Sequence, residues 1–186
     1  MRLFVAIDLP EPWKVELAEI ERSIGWLGRG VKWVDPRSMH LTLKFLGETD
    51  DRDLQIVRDQ LVTACHGVPA FSMQMRGTGV FPAPNRPRVY WVGLKSGDAL
   101  PALNQRVETA MQEIGYPPEE NPFKPHLTVA RIKDPIGKQR QTDALLSYHV
   151  ESEPVLVREV LLMQSHLAKA GATYEVVGRA ALNDDR

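Results

Sequence analysis

The chain has 186 residues, of which 43% are apolar and 25% are charged, and these values are typical of one globular domain with a sizeable core. No stretch approaches eighteen apolar residues, which excludes a membrane bundle, and the single Cys65 excludes a disulfide framework or a multi-thiolate metal site. Lysine and arginine number 23 against 24 acidic residues, which argues against binding to long nucleic-acid tracts and leaves a small phosphorylated ligand or one RNA end.

The first third of the chain predicts strands and helices in alternation. β-branched and aromatic residues predict a strand at Arg2–Asp8, and apolar residues at helical spacing predict a helix from Glu11 to Gly25. Short strands are expected at Val31–Val34 and at His40–Leu46. A second helix is expected at Asp50–Cys65, where aspartates near its start suit the helix dipole.

The rest of the chain predicts further strands around one more helix. Strands are expected at Phe71–Arg76 and Arg88–Leu94, separated by a Pro- and Gly-rich loop at Gly77–Pro87. A helix is expected at Asp98–Ile114, and a strand starts at His126 after a Pro-rich break. The last predicted strands are Tyr148–Val150, Val155–Gln164 and Thr173–Ala180.

This order favours an α+β fold with antiparallel sheets over a parallel doubly wound sheet. We expect residues 1–186 to form one domain with two lobes. We expect a cytoplasmic protein, because Met1–Pro10 has the pattern of a strand and not of a secretory signal. A monomer is expected, since no heptad run demands a partner.

One internal repeat carries the chemistry. His40-Leu41-Thr42-Leu43 and His126-Leu127-Thr128-Val129 stand about half a chain length apart, and both open a predicted strand. A given histidine would be followed by Leu-Thr-aliphatic about once in a thousand times by chance. In a strand, side chains alternate between faces, so each copy presents an imidazole and a hydroxyl on one face and aliphatic groups on the other.

Two imidazoles facing one cleft suit phosphodiester chemistry. With an ordinary pKa of about 6.5, one histidine acts as a general base on water while the other donates a proton to the leaving oxygen. In-line displacement at phosphorus needs the two on opposite sides, which a pseudo-two-fold arrangement of the lobes supplies. The threonine hydroxyls would donate to the non-bridging oxygens. No metal or other cofactor is expected, because the clustered carboxylates of a two-metal site are missing from the pattern.

The two tetrapeptides and the phrases around them resemble the 2H phosphoesterase superfamily, in particular the bacterial and archaeal RNA 2′,3′-cyclic phosphodiesterases, also called 2′-5′ RNA ligases. The phrases span most of the chain: RLFVAIDLP from Arg2, KWV from Lys32, LKFLG from Leu43, GVF from Gly79, RPRVYWVGL from Arg86 and KPHLTVAR from Lys124. No departure occurs within the tetrapeptides.

The resemblance implies a bilobal fold in which each lobe has an antiparallel sheet with helices outside and the active-site cleft lies between the lobes. It implies metal-independent hydrolysis of an RNA-terminal 2′,3′-cyclic phosphate, or of a small cyclic nucleotide, to a 2′-phosphomonoester. In that reaction His40 would be the proton donor and His126 the proton acceptor. Thr42 and Thr128 would bind the phosphate.

Four further residues are candidates for substrate binding. Arg131 suits phosphate, but strict alternation places it opposite His126, so it reaches the site only if the strand ends or bulges. Lys44 has the same parity as His40 and Thr42. Phe45 and Trp33 flank the first motif and would stack a nucleobase.

Several functional alternatives stay open at this stage. The same two histidines would serve 2′-5′ RNA ligation or cleavage of another 2′-5′ or cyclic phosphodiester. A nucleotide-binding module without turnover is a second class, although binding alone does not require two imidazoles placed for proton transfer. The physiological RNA and the base preference are not encoded in any motif of the chain.

Overall fold

The structure is a computed structural model that describes residues 1–183, with two antiparallel sheets and four helices in that range. The strands are β1 (Arg2–Asp8), β2 (Val31–Trp33), β3 (His40–Glu48), β4 (Phe71–Ala83), β5 (Arg86–Lys95), β6 (His126–Ile132), β7 (Val155–Val157), β8 (Glu159–Ala168) and β9 (Gly171–Ala181). The helices are α1 (Glu11–Ile24), α2 (Leu54–Cys65), α3 (Ala99–Glu113) and α4 (Gln139–Leu146). None of these helices is long and apolar enough to cross a membrane.

The two sheets have related layouts. The first has the strand order β3-β1-β8-β9 and the second has the order β2-β6-β5-β4-β7. Every pair of neighbouring strands in them is antiparallel. In each sheet the strand that starts with a motif histidine pairs with an inner strand, β3 with β1 and β6 with β5. The predicted α+β class with antiparallel sheets is confirmed.

The helices cover the sheets in pairs. α2 and α3 pack against each other and against the first sheet, while α1 packs against α4, which contacts β4 of the second sheet. This arrangement produces the two predicted lobes with helices outside. Leu41 of β3 and Leu127 of β6 are both buried in one apolar cluster, so the aliphatic face of each tetrapeptide anchors its histidine strand. Burial of each such leucine contributes about 1.5–3 kcal/mol.

The predicted loop Gly77–Pro87 is wrong, because β4 and β5 form one long hairpin whose turn is at residues 84–85. The glycines serve packing inside the strand. A Cβ on Gly79 would lie 1.9 Å from the Trp91 ring, so only glycine lets that indole lie across the strand. Gly77 has a φ of +74° at a register shift of the hairpin, which is a backbone conformation that glycine adopts without strain.

Helix α4 was not predicted, because its buried face is largely polar. Gln141 and Thr142 are fully buried and find partners in the tertiary structure. The Gln141 amide donates to the Ile24 carbonyl at 3.1 Å, and the Thr142 hydroxyl lies 2.8 Å from the Tyr90 hydroxyl. Hydrophobic periodicity cannot detect a helix that docks through hydrogen bonds.

Two strand predictions near the end of the chain also differ from the structure. Tyr148–Val150 is not a strand; the Val150 carbonyl only accepts from the Gly77 amide at 2.9 Å. Val155–Gln164 is divided at Arg158 into β7 and β8, which belong to different sheets. The remaining elements lie within a few residues of their predicted bounds.

Candidate active site

The strand that carries the first motif contains a β-bulge just after the motif threonine. Thr42 pairs with Ala6 and Lys44 pairs with Val5, so Leu43 is an extra residue in β3. An extra residue reverses the alternation of faces beyond it. Leu43 and Lys44 are therefore both buried, and the next residue along the strand is exposed.

The second motif strand has its bulge at the corresponding place. Thr128 pairs with Trp91 and Ala130 pairs with Tyr90, so Val129 is the extra residue in β6. The burial pattern along the first seven residues is the same in the two strands. The internal repeat therefore includes a backbone irregularity as well as four side chains.

The bulges bring the residue five positions after each histidine back to the histidine side. That residue is Phe45 in β3 and Arg131 in β6, and both are exposed. Both line the same cleft of about 970 Å³ that His40 and His126 line. The bulge that Arg131 needed in order to reach the cleft is therefore present.

His40 is held at the edge of the first sheet. Its Nδ1 lies 3.1 Å from the Ser38 carbonyl oxygen, and its ring is 6.1 Å from Phe4 and 5.4 Å from Tyr174 between centroids, both edge-on. Its Nε2 lies 3.9 Å from the Asp8 carboxylate. Burial lowers the pKa of His40 below its ordinary value, while the Asp8 charge and the Ser38 carbonyl act in the opposite direction.

His126 is held in the same way by the second lobe. Its Nδ1 lies 2.5 Å from the Lys124 carbonyl oxygen, which is again two residues before the histidine. Phe81 contacts the ring at a centroid distance of 5.2 Å and an interplanar angle of 90°, and Trp91 lies at 6.3 Å. His126 lines the same cleft as His40.

The backbone contact sets the chemistry available to each imidazole. When the ring is neutral and Nδ1–H donates to the carbonyl, Nε2 is an acceptor; when the ring is protonated, Nε2 is a donor. Thr42 and Thr128 also line the cleft, and within residues 1–183 neither hydroxyl has a hydrogen-bond partner. The strands β3 and β6 contact each other, and both histidines and both threonines line the one cleft.

Two of the predicted substrate residues lie elsewhere than expected. The parity prediction for Lys44 is wrong, because the bulge at Leu43 turns its side chain inward. Although Lys44 borders the cleft, its side chain is only 1% exposed and its ammonium is paired with Glu108. The prediction for Trp33 is also wrong: it stands opposite Ala130 in the sheet, packs against the core and lies 6.3 Å from the Tyr90 ring.

Three residues near His40 were missed by the sequence interpretation. Phe4 and Tyr174 pack edge-on against its ring, and Asp8 lies opposite it in the strand register. One sequence signal points to Phe4, because Leu3 to Ile7 is apolar at every position and a strand with that pattern buries both faces. The cleft face of the first sheet indeed holds a second apolar cluster that includes Phe4 and Leu161.

In the part of the chain that the structure describes, no three His, Cys, Asp or Glu side chains are grouped as the ligands of a metal ion are.

Comparisons with known proteins place the chain in a family. The family profile described as LigT like Phosphoesterase matches residues 7–91 and 92–174, and each of these halves contains one histidine motif. A Methanothermobacter thermautotrophicus protein named RNA 2′,3′-cyclic phosphodiesterase is 31% identical over 175 residues, which cover 94% of this chain and 95% of that protein.

Solved structures agree with this result. The crystal structure of a Thermus thermophilus protein is similar over the full length of both chains, with a TM-score of 0.80 and 28% identity. The structure of E. coli LigT complexed with 3′-AMP covers 98% of both chains, with a TM-score of 0.74 and 25% identity. Matching halves, matching motifs and a shared fold lead to one conclusion: the chain belongs to the LigT-like family of 2H phosphoesterases.

Proposed function

We propose that this phosphoesterase hydrolyses the 2′,3′-cyclic phosphate at an RNA end, or in a small cyclic nucleotide, to a 2′-phosphomonoester. One observation carries the proposal. His40 and His126 line one cleft, and each has Nδ1 bound to the carbonyl two residues earlier, which leaves Nε2 for proton transfer. The name of the Methanothermobacter relative supports the substrate class, and the 3′-AMP complex of E. coli LigT supports a nucleotide in the cleft.

The two imidazoles have complementary roles in hydrolysis. Nε2 of His126 accepts a proton from water as the water oxygen bonds to phosphorus. The bond from phosphorus to O3′ breaks, and Nε2 of His40 donates its proton to that oxygen. The attacking and leaving oxygens lie on opposite sides of phosphorus, and the two histidines come from strands of different sheets.

The remaining polar groups of the cleft hold the phosphate. The hydroxyls of Thr42 and Thr128 donate to the non-bridging oxygens, where negative charge accumulates in the transition state. Arg131, which the bulge turns toward the cleft, supplies a positive charge and paired donors for the same oxygens. Hydroxyls without competing partners are ready for this task without breaking other hydrogen bonds.

The aromatic side chains support His40 as the donor. O3′ leaves as part of the nucleoside, so the acid must stand on the nucleoside side of the phosphate. Phe45 is 66% exposed and lies 6.0 Å from Phe4, which in turn contacts Tyr174 at 5.6 Å. Phe4 and Tyr174 contact His40, and Phe45 beside them presents an exposed ring on which a base stacks.

The environment of His40 links proton uptake to substrate binding. In the free protein burial lowers the pKa of His40, which disfavours the protonated form that the acid role requires. The cyclic phosphate is an anion, and a negative charge beside an imidazole raises its pKa. Substrate therefore acts in the same direction as the Asp8 carboxylate and favours the protonated donor.

We propose that the reaction needs no metal ion, because the two histidines and two threonines together provide the base, the acid and the oxyanion donors. The reverse reaction, 2′-5′ ligation of RNA ends, would use the same groups with the acid and base roles exchanged. We also propose that residues 1–186 act as one bilobal domain and as a monomer. The large apolar cluster with residues from both sheets supports the first point. We also propose a cytoplasmic location, with which an RNA substrate is consistent.

The test is an assay in EDTA with a short RNA that ends in a 2′,3′-cyclic phosphate, using the wild type, His40→Ala and His126→Ala. We expect a 2′-phosphate from the wild type and loss of turnover in both variants. A 3′-phosphate would contradict the regiochemistry, and loss of the wild-type activity in EDTA would contradict metal independence. Nucleotide binding without any turnover would favour the binding-module alternative.

A further inference from the structure

A buried ion pair lies behind the strand that carries His40. The Lys44 ammonium is 2.8 and 3.0 Å from the two carboxylate oxygens of Glu108 and 2.9 Å from the Pro117 carbonyl oxygen. These three contacts use all three of its protons. Lys44 and Glu108 border the cleft, but their side chains are only 1% and 10% exposed and their charged groups are directed at each other.

Helix α3 contributes a second buried polar side chain at the same place. Asn104 lies one helical turn before Glu108 and therefore faces the same way. Its amide donates to the Leu43 carbonyl at 2.8 Å. Leu43 is the extra residue of the bulge and Lys44 is the next one, so α3 holds both residues at which β3 reverses its faces.

The same cluster contacts the segment that leads to the other histidine. Pro117 and Glu119 follow α3, and the Glu119 amide donates to the Glu108 carboxylate at 3.5 Å. Residues 118–124 then line the cleft as far as Lys124, whose carbonyl holds Nδ1 of His126. One cluster of buried charges thus touches the strand of His40 and the start of the segment that ends at His126.

Within residues 1–183, the second lobe has no equivalent of this pair. The position that corresponds to Lys44 in the repeat is Ala130, which is buried beside an equivalent bulge. A bulge therefore forms without an ion pair behind it. Because charges are costly to bury and an apolar pair of similar size is often as stable, the pair in the first lobe calls for a role other than stability.

We propose that Lys44, Asn104 and Glu108, here called the α3 clamp, set the position of the His40 strand relative to the segment that orients His126. The clamp ties the two bulge residues of β3, Leu43 and Lys44, to α3 and to the start of residues 117–125. Lys44 is then a positioning residue and not a substrate ligand. The inference rests on the proposed function where it is tested by kcat and KM, but not where it is tested by hydrogen exchange.

The test compares the double variant Lys44→Met/Glu108→Leu with a matched control, Tyr90→Phe. Both changes remove a buried polar link between a sheet and a helix. Tyr90 pairs with Ala130 of the His126 strand, and Tyr90→Phe keeps that pairing; the hydroxyl that it removes links β5 to α4 and not to β3 or to residues 117–125. Three properties are measured for each variant: the melting temperature, the kcat and KM for the cyclic phosphate, and the rate of amide hydrogen exchange in residues 114–125. If the double variant does not fold, the same three properties are measured for Glu108→Gln, which keeps one oxygen acceptor for Lys44.

We expect the double variant to melt close to the wild type, to lose kcat by about tenfold or more with a smaller change in KM, and to exchange residues 114–125 faster. Tyr90→Phe should keep the wild-type kcat and the wild-type exchange in that segment. A wild-type kcat in a folded double variant would overturn the clamp. If the wild type has no cyclic phosphodiesterase activity, the proposed function fails, and the clamp is then tested by hydrogen exchange alone. In that case, wild-type protection of residues 114–125 in the double variant would overturn the clamp.

Discussion

Replacing His40 by glutamine should have an effect that depends on the leaving group. A general acid is needed when the departing oxygen is a sugar alkoxide, because the alkoxide is a poor leaving group without a proton. It is dispensable when the departing group is p-nitrophenolate, which leaves unprotonated near neutral pH. His40→Gln should therefore damage hydrolysis of the cyclic phosphate and spare hydrolysis of a p-nitrophenyl phosphodiester.

The structure sets the size of the expected loss. General acid catalysis is worth about 10²- to 10⁴-fold, or roughly 3–5 kcal/mol of barrier. The His40 side chain is only 12% exposed and packs against the rings of Phe4 and Tyr174. Since these rings leave little room for a water molecule to replace the imidazole as proton donor, we expect the upper part of that range, about 10³- to 10⁴-fold, for the cyclic substrate.

The assay measures kcat/KM for both substrates in the wild type, His40→Gln and His126→Gln. His40→Gln should lose less than about tenfold on the aryl ester, whereas His126→Gln should lose the same factor on both substrates because both need an activated water. Equal losses on both substrates for His40→Gln, with unequal losses for His126→Gln, would mean that the acid and base roles are exchanged. Equal losses for both variants would refute acid catalysis by either histidine.

Three further predictions concern pH, stacking and the buried thiol. The kcat/KM profile should be bell-shaped, with an alkaline limb below the ordinary histidine pKa. This is because burial lowers the pKa of His40, and the acid His40 loses its proton as the pH rises through that value. The alkaline limb of the kcat profile should lie at a higher pH, because bound phosphate raises the pKa of His40. Phe45→Ala should raise KM about 5- to 150-fold with little change in kcat, since stacking on an exposed ring is worth about 1–3 kcal/mol per base. Burial raises the pKa of Cys65 to about 11, so at pH 8 iodoacetamide should alkylate it roughly two-hundredfold more slowly than a free cysteine until denaturant is added.

Each of these predictions has an outcome that would contradict it. A rate that rises monotonically through the histidine range would remove the acid from the mechanism. An unchanged KM in Phe45→Ala, with Phe45→Tyr as the control that keeps a ring, would mean that the base lies elsewhere. Rapid alkylation of Cys65 in the native protein would mean that helix α2 opens readily.

Much of the fold could be predicted because most elements follow local periodicity. The strand β1 has the predicted bounds, and the helices α1, α2 and α3 differ by a few residues at most from their predicted ends. Helix α4 could not be predicted, because its buried glutamine and threonine depend on partners in α1 and β5 that are distant in the chain. The β4–β5 hairpin was hidden because Gly79 makes room for Trp91, and the same residue type also marks loops.

The amino-acid sequence by itself determined the paired tetrapeptides, the face on which each imidazole and hydroxyl lies, and the family. Alternation holds over the three residues from His40 to Thr42 and from His126 to Thr128, so a local rule suffices there. Only the tertiary structure decided what lies beyond the bulges: Lys44 turns inward to Glu108, while Arg131 turns outward to the cleft. The reason is physical: the position of a bulge depends on the register with a neighbouring strand and on the groups packed behind it. The alternation of side chains along one strand carries no information about the register or about those groups.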